Sequence, residues 1–70
     1  MNQNFLKVSR FLIGLSQGEL AKELGITQQA VSKMELGRMG ISEKTKDKVY
    51  QVLSAKNLDL DEIFLLEKFK

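Results

Sequence analysis

The 70-residue chain contains no cysteine, no histidine and no proline. Without cysteine it can form neither a disulfide framework nor a thiolate metal site. Without histidine it lacks the usual general base at neutral pH and the commonest metal ligand. No pair of carboxylates marks an evident cleft either. We therefore expect no enzyme activity, no metal and no cofactor, and a fold stabilised by packing or by a partner chain.

Long apolar runs are also missing, and the longest one is far too short to span a bilayer. The N-terminus lacks the charged and apolar regions of a signal peptide. These absences predict a cytoplasmic, nucleoid-associated protein with no membrane partner. The net charge is +2: residues 1–48 hold eight basic and five acidic residues, whereas residues 49–70 hold three and four. This small basic excess is compatible with nucleic acid but is weak support for it.

Glycines divide the chain into segments whose apolar residues follow helical spacing, and no segment alternates as a strand would. The pattern predicts a single all-α domain over residues 1–70, built from five helices. We expect them at residues 4–13, 17–24, 28–36, from 43 onward and 59–70, with Gly14 and Gly25 ending the first two. Polar residues that can cap a helix N-terminus precede the last four: Ser16, Thr27, Ser42 and Asp59. Glu19 and Glu62 complete box-like caps.

The link between the second and third helices is Gly25-Ile26-Thr27. Ala21 lies four residues before its glycine, and Val31 lies six residues after it. A small residue at 21 lets the two helices cross closely, and glycine at 25 permits a left-handed turn. This is the spacing of a helix-turn-helix, whose second helix enters the major groove of DNA.

The stretch GLSQGELAKELGITQQAVSKMELGR resembles the lambda-repressor-like, Cro/CI-type (XRE) helix-turn-helix domains. The matching positions are Arg10, Gly14–Gln17, Glu19–Ala21, Leu24–Thr27, Val31–Ser32, Glu35 and Gly37–Arg38. The specific part of the resemblance spans residues 10–38, and the helix layout and LDEIF near the C-terminus extend it over most of the chain. It implies a five-helix lambda-repressor-like bundle with its helix-turn-helix at about residues 17–36.

The resemblance also implies which residues meet DNA, since in this family the first turn of the third helix faces the bases. The base-reading positions would be Gln28, Gln29, Ser32 and Lys33. The phosphate contacts would be Gln17, Thr27 and Arg38, and Lys44 at the start of the fourth helix is a further candidate. A glutamine amide can pair bidentately with adenine. The alternatives are a solvated helix surface for these side chains and ordinary capping for Gln17.

A second pair follows from the resemblance: Arg10 on the first helix would meet Glu35 at the end of the third. A buried ion pair there would hold the recognition helix in place, and losing one partner would strand a charge. The alternative is two unrelated surface charges.

The sequence departs from the family at Phe11 and Leu12, where related domains are usually polar. Phe5, Val8 and Leu12 form an apolar stripe, and the last helix is rich in large apolar residues: Phe64, Leu65, Leu66 and Phe69. Either these two helices pack together as core, or one stripe is a dimer interface. We favour core for the first helix and an interface for the last.

The leading interpretation is a sequence-specific, double-stranded DNA-binding transcriptional regulator of prokaryotic or phage type. A Cro-like repressor acting as a homodimer on a palindromic operator fits best, because one recognition helix contacts few base pairs. A chain this short leaves no room for a ligand-sensing domain, so we expect no small-molecule ligand, and any regulation would come from its concentration, from competing proteins or from an antirepressor. Two alternatives are an antitoxin-type regulator whose C-terminal helix binds a toxin, and a protein–protein adaptor that kept the fold.

Overall fold

The computed structural model describes residues 3–56. This part of the chain is all-helical and has four helices and no strand: α1 (Gln3–Leu12), α2 (Gln17–Leu24), α3 (Gln28–Glu35) and α4 (Glu43–Ala55). The positions of the first four of the five predicted helices are therefore confirmed to within a residue or two. The fifth predicted helix, at 59–70, lies outside the described residues. None of the four helices is long and apolar enough to cross a membrane.

Side-chain caps fix where three of these helices begin. The Ser16 hydroxyl accepts a hydrogen bond from the Glu19 backbone N–H at 3.0 Å, and the Ser16 N–H donates to the Glu19 carboxylate at 2.9 Å. This is the predicted capping box. The hydrogen bonds to the Ser16 backbone and hydroxyl lower the pKa of Glu19. Thr27 caps α3 and Ser42 caps α4 by the same hydroxyl contact. Each cap satisfies an N–H group that the helix itself leaves unpaired.

Gly25 ends α2 with a left-handed backbone, at φ 71° and ψ 31°. The Ile26 N–H then donates to the Ala21 carbonyl at 3.0 Å, which turns the chain sharply toward α3. Ala21 and Val31 are both buried, as expected where the two helices cross. The turn thus holds α3 against α2 at a fixed angle.

The core lies between the four helices and is formed by ten buried apolar residues: Phe5, Leu6, Leu20, Ala21, Leu24, Val31, Met34, Val49, Val52 and Leu53. Packing of α3 against both α2 and α1, and of α4 against α2, shares this core among all four elements. Burial of α3 on one side leaves its opposite side for other contacts.

Only one of the three residues of the apolar stripe favoured as core on α1 is buried, and the last helix, which was expected to pack on this stripe, lies outside the described residues. Phe5 is buried, but Val8 is 45% exposed and Leu12 is 58% exposed. The inward face of α1 instead includes Ser9 and Arg10, and both are buried because they have partners. Two polar residues therefore occupy helical positions that a purely apolar pattern assigns to solvent.

Candidate nucleic-acid interface

The outward side of α3 presents the four polar residues that the sequence singled out. Gln28, Gln29 and Lys33 are exposed, and Ser32 is half-buried. At about 100° per residue, these positions occupy one face of the helix, while the buried positions of α3 lie on the other. The structure therefore brings all four together on one surface.

Gln28 also lies against the start of α2. An ideal Cβ built on Gly18 would stand 3.5 Å from Gln28 Oε1 and 3.9 Å from its Cδ. The amide of the first residue of α3 therefore lies beside the backbone of the second residue of α2. Sequence reasoning missed this contact, because the two residues are ten positions apart and meet only through the turn.

Gln17, the first residue of α2, is half-buried and engaged within the protein. Its Nε2 donates a hydrogen bond to Glu35 Oε1 at 3.1 Å. The residue expected to meet a phosphate is thus tied to the far end of α3. Neither capping nor the resemblance signalled this bond, which depends on how α2 and α3 pack.

Arg10 and Glu35 form the predicted ion pair, and it is buried. Arg10 Nε lies 2.7 Å from Glu35 Oε2, and Nη2 lies 3.1 Å from Oε1. Only 8% of the arginine side chain and 4% of the glutamate side chain are exposed. The remaining guanidinium nitrogen donates to the Leu15 carbonyl at 3.0 Å, and the Phe11 ring centroid lies 4.6 Å from the guanidinium carbon. Paired charges and satisfied donors make such burial tolerable.

Several groups act on the ionisation of Glu35. Burial raises the pKa of this carboxyl, but the hydrogen bonds from Arg10 and Gln17 lower it, and the charges of Arg10 and Lys7 lower it further. The net result is a pKa below the ordinary value of 4.5. Glu35 is accordingly a carboxylate at neutral pH and accepts hydrogen bonds from two other helices.

The other predicted phosphate contacts lie at the ends of helices. The Thr27 hydroxyl accepts the Ala30 N–H as the cap of α3. Arg38 is exposed just beyond α3, and Lys44 is exposed in the first turn of α4. Lys48, by contrast, donates to the Leu24 carbonyl at 3.4 Å and caps the C-terminal end of α2.

Apolar side chains also reach the surface next to α3. Leu36 and Met39 follow its last turn and are exposed. Nothing in residues 3–56 groups acidic side chains closely enough to hold a metal ion.

Comparison with known proteins gives one match. A family model described as "Helix-turn-helix", of the XRE or lambda-repressor-like type, matches residues 6–63. No curated protein and no solved structure matches the chain. The matched range begins in α1 and includes all of α2, α3 and α4, so it contains every contact described above except those of residues 3–5.

Proposed function

This chain belongs to the lambda-repressor-like helix-turn-helix family of DNA-binding regulators, and from this premise we propose that it is a Cro-like transcriptional repressor. It binds a palindromic operator in double-stranded DNA as a homodimer and excludes polymerase from the promoter. Domains of this family are DNA-binding regulators and not enzymes. The proposed repressor is a single domain over residues 1–70 that uses neither a cofactor nor a small-molecule ligand.

One observation supports this proposal above the others: polar side chains occupy the outward face of α3, and contacts with α1 and α2 hold the helix in place. Gln28, Gln29, Ser32 and Lys33 lie on that face, and Glu35 anchors the same helix to α1 and α2. Glutamine pairs with adenine N6 and N7, and lysine donates to guanine O6 and N7. We assign these four side chains to base contacts in the major groove.

Four residues around this face are assigned to the DNA backbone: Gln17, Thr27, Arg38 and Lys44. The amide nitrogen of Gln17 carries two N–H groups, and only one of them is needed for the bond to Glu35. The other can donate to a phosphate beside the N–H groups at the start of α2. Such contacts set register and affinity, while the base contacts set sequence.

Dimerisation completes the proposal, because one recognition helix contacts only a few base pairs and two copies on a palindrome double the site. We assign the dimer interface to Phe64, Leu65, Leu66 and Phe69, which lie outside the described residues. An antirepressor or a toxin is the protein partner that this same apolar segment would accept.

Selection of bound duplexes from a random DNA pool tests the proposal. The wild type, the double variant Gln28→Ala with Gln29→Ala, and the control Gln51→Ala are compared at moderate salt. Gln51 is exposed on α4, so its loss removes a glutamine without changing α3. We expect the wild type and the control to enrich one palindrome. The double variant should lose the preference at particular base positions, with affinity falling about 5- to 150-fold for each bidentate contact.

Two results would contradict the proposal. If the wild type enriches no sequence, the chain is not a sequence-specific DNA-binding protein. If the double variant enriches the same palindrome with unchanged affinity, the glutamines are not the base contacts. A salt titration separates a DNA-binding protein from an adaptor. Phosphate contacts make the logarithm of the affinity fall steeply and linearly with the logarithm of the salt concentration.

A further inference from the structure

We propose that Gly18 is a specificity-determining position, because only a small residue there leaves room for the Gln28 amide to rest beside α2. The inference rests on the proposed role of Gln28 as a base contact. Gly18 itself touches no base in this proposal. It acts through the orientation of a neighbouring side chain, and so it is a positioning residue.

The geometry supports this directly. Gly18 is the second residue of α2 and Gln28 is the first residue of α3. Of the atoms around an ideal Cβ on Gly18, the nearest is Gln28 Oε1 at 3.5 Å, followed by Gln28 Cδ and the Ser16 hydroxyl, both at 3.9 Å. The amide group of Gln28, and not its aliphatic stem, is therefore the part of the side chain that faces Gly18.

The backbone gives no reason for glycine here. Gly18 lies inside a helix and outside the left-handed region, unlike Gly25. Glycine is a poorer helix former than alanine, because it has more backbone freedom to lose. The chain thus places a poor helix former where the backbone could accept a better one, and the atoms nearest to the vacant Cβ position belong to Gln28.

Size decides what position 18 can hold. A Cβ at 3.5 Å from Gln28 Oε1 makes an ordinary van der Waals contact, so a methyl group fits without moving the amide. A β-branched side chain adds two further carbons, and its χ1 angle is nearly fixed in a helix. Valine at this position therefore fills space next to Oε1 and drives the Gln28 amide to another rotamer.

The orientation of that amide matters for recognition. A bidentate contact with adenine needs the amide oxygen and nitrogen in one plane with the base edge. Gln28 is exposed, and ordering a long flexible side chain costs conformational entropy. A side chain that already rests against α2 loses less freedom on binding than one that extends freely into solvent. Gly18 thus affects both the orientation of the Gln28 amide and the conformational entropy that this side chain loses on binding.

The first arm of the test needs no DNA. Side-chain amide signals of the glutamines are recorded by ¹H–¹⁵N NMR for the wild type, Gly18→Ala, Gly18→Val and the control Gln51→Val. The control introduces the same poor helix former at an exposed site on another helix. We expect Gly18→Val to shift the Gln28 amide signals more than those of Gln29. Gly18→Ala and Gln51→Val should leave both nearly unchanged.

The second arm measures the preference for each base at the operator position whose specificity is lost in Gln28→Ala. Gly18→Val should reduce that preference about 5-fold or more, the lower part of the range for one bidentate contact. Gly18→Ala should keep it within about twofold, since its methyl group makes only an ordinary contact. In the Gln28→Ala background, Gly18→Val should change nothing further, because the group it displaces is gone. Urea unfolding of each variant corrects the affinities for any unfolded fraction.

The proposal is overturned if Gly18→Val leaves the Gln28 signals in place, or if it weakens binding equally with and without the Gln28 side chain. Equal weakening would mean that position 18 acts through the backbone contact or through stability. If the wild type selects no DNA sequence, the proposed function fails together with the specificity role. The spectra then still decide whether Gly18 positions Gln28, so the two failures are distinguishable.

Discussion

Arg10 on α1 and Glu35 at the end of α3 meet through two parallel hydrogen bonds, of 2.7 and 3.1 Å, in a site that is almost closed to water. The planar guanidinium matches the carboxylate in a way that lysine could not. Gln17 adds a third hydrogen bond to the same carboxylate. Glu35 is therefore the residue through which α1 and α2 both hold α3 in place.

Replacing Arg10 by methionine should strongly destabilise the protein. The change leaves the Glu35 carboxylate buried without its counter-charge, which costs about 3–5 kcal/mol in comparable pairs. Urea unfolding measures the loss. Lys46→Met is the control, because Lys46 pairs with the exposed Glu43 at 3.6 Å and such surface pairs contribute about 0–1 kcal/mol. A loss below about 1 kcal/mol for Arg10→Met would show that the pair is not effectively buried.

Removing both charges tests whether the unpaired carboxylate causes the loss of stability. In the double variant Arg10→Met with Glu35→Met, no unpaired charge stays buried, so stability should recover most of what Arg10→Met loses. Equal stability of the single and double variants would contradict this account, because it would mean that lost packing, and not the stranded carboxylate, causes the loss.

Stability should fall in acid because the pKa of Glu35 is lower in the folded protein than its ordinary value of 4.5. The unfolded chain then binds a proton at a higher pH than the folded chain does. The contribution is fully present above the unfolded pKa and is lost as the pH falls through the folded pKa. Urea midpoints measured from pH 7 to pH 3 check this. Glu35→Gln should give a shallower fall below pH 4.5 than the wild type, and an unchanged slope would contradict the prediction.

Phe11 should stabilise the Arg10 guanidinium although most of its ring is exposed. The guanidinium carbon lies 4.6 Å from the ring centroid, within the range of a cation–π contact. Leu12 is the matched control, since it is the next residue and is similarly exposed, at 58% against 63%. Phe11→Ala should cost about 0.5–1 kcal/mol more than Leu12→Ala in urea unfolding. The difference should vanish in the Arg10→Met background, and its persistence there would assign it to the burial of apolar area.

The local features of this fold and the crossing of α2 and α3 at Ala21 could be predicted from the sequence, whereas the polar contacts between helices could be predicted only where the family supplied them. The caps at Ser16, Thr27 and Ser42 each accept a hydrogen bond from the N–H group three residues away, so neighbouring residues determine them. The Arg10–Glu35 pair spans 25 positions and was expected only from the resemblance. The Gln17–Glu35 bond and the Gly18–Gln28 contact were missed, because each depends on the angle at which α2 and α3 pack.

The error on α1 has a different physical cause. The apolar stripe favoured Val8 and Leu12 as core against the last helix, whereas the face of α1 that packs on the described helices includes Ser9 and Arg10. Ser9 can be buried because its hydroxyl donates to the Leu6 carbonyl at 3.0 Å, and Arg10 because α3 supplies a carboxylate. A hydrophobicity pattern contains no information about the hydrogen-bond partners of polar side chains. It therefore fails where a buried polar residue has a hydrogen-bond partner, whether in its own helix or in another.

The backbone at Gly25 allows the turn of the helix-turn-helix to be tested separately from side-chain contacts. Gly25 has φ 71°, and a Cβ built there would come no closer than 4.0 Å to another group, the Lys48 amine. Gly25→Ala therefore introduces left-handed strain without a clash, which should cost about 1–2 kcal/mol in urea unfolding. Gly40→Ala is the matched control, because Gly40 lies outside the left-handed region with no atom within 4 Å of its vacant Cβ position. Gly25→Asn should recover part of the loss, since asparagine tolerates this conformation. Equal losses at positions 25 and 40 would show that the strain is not what makes glycine necessary at the turn.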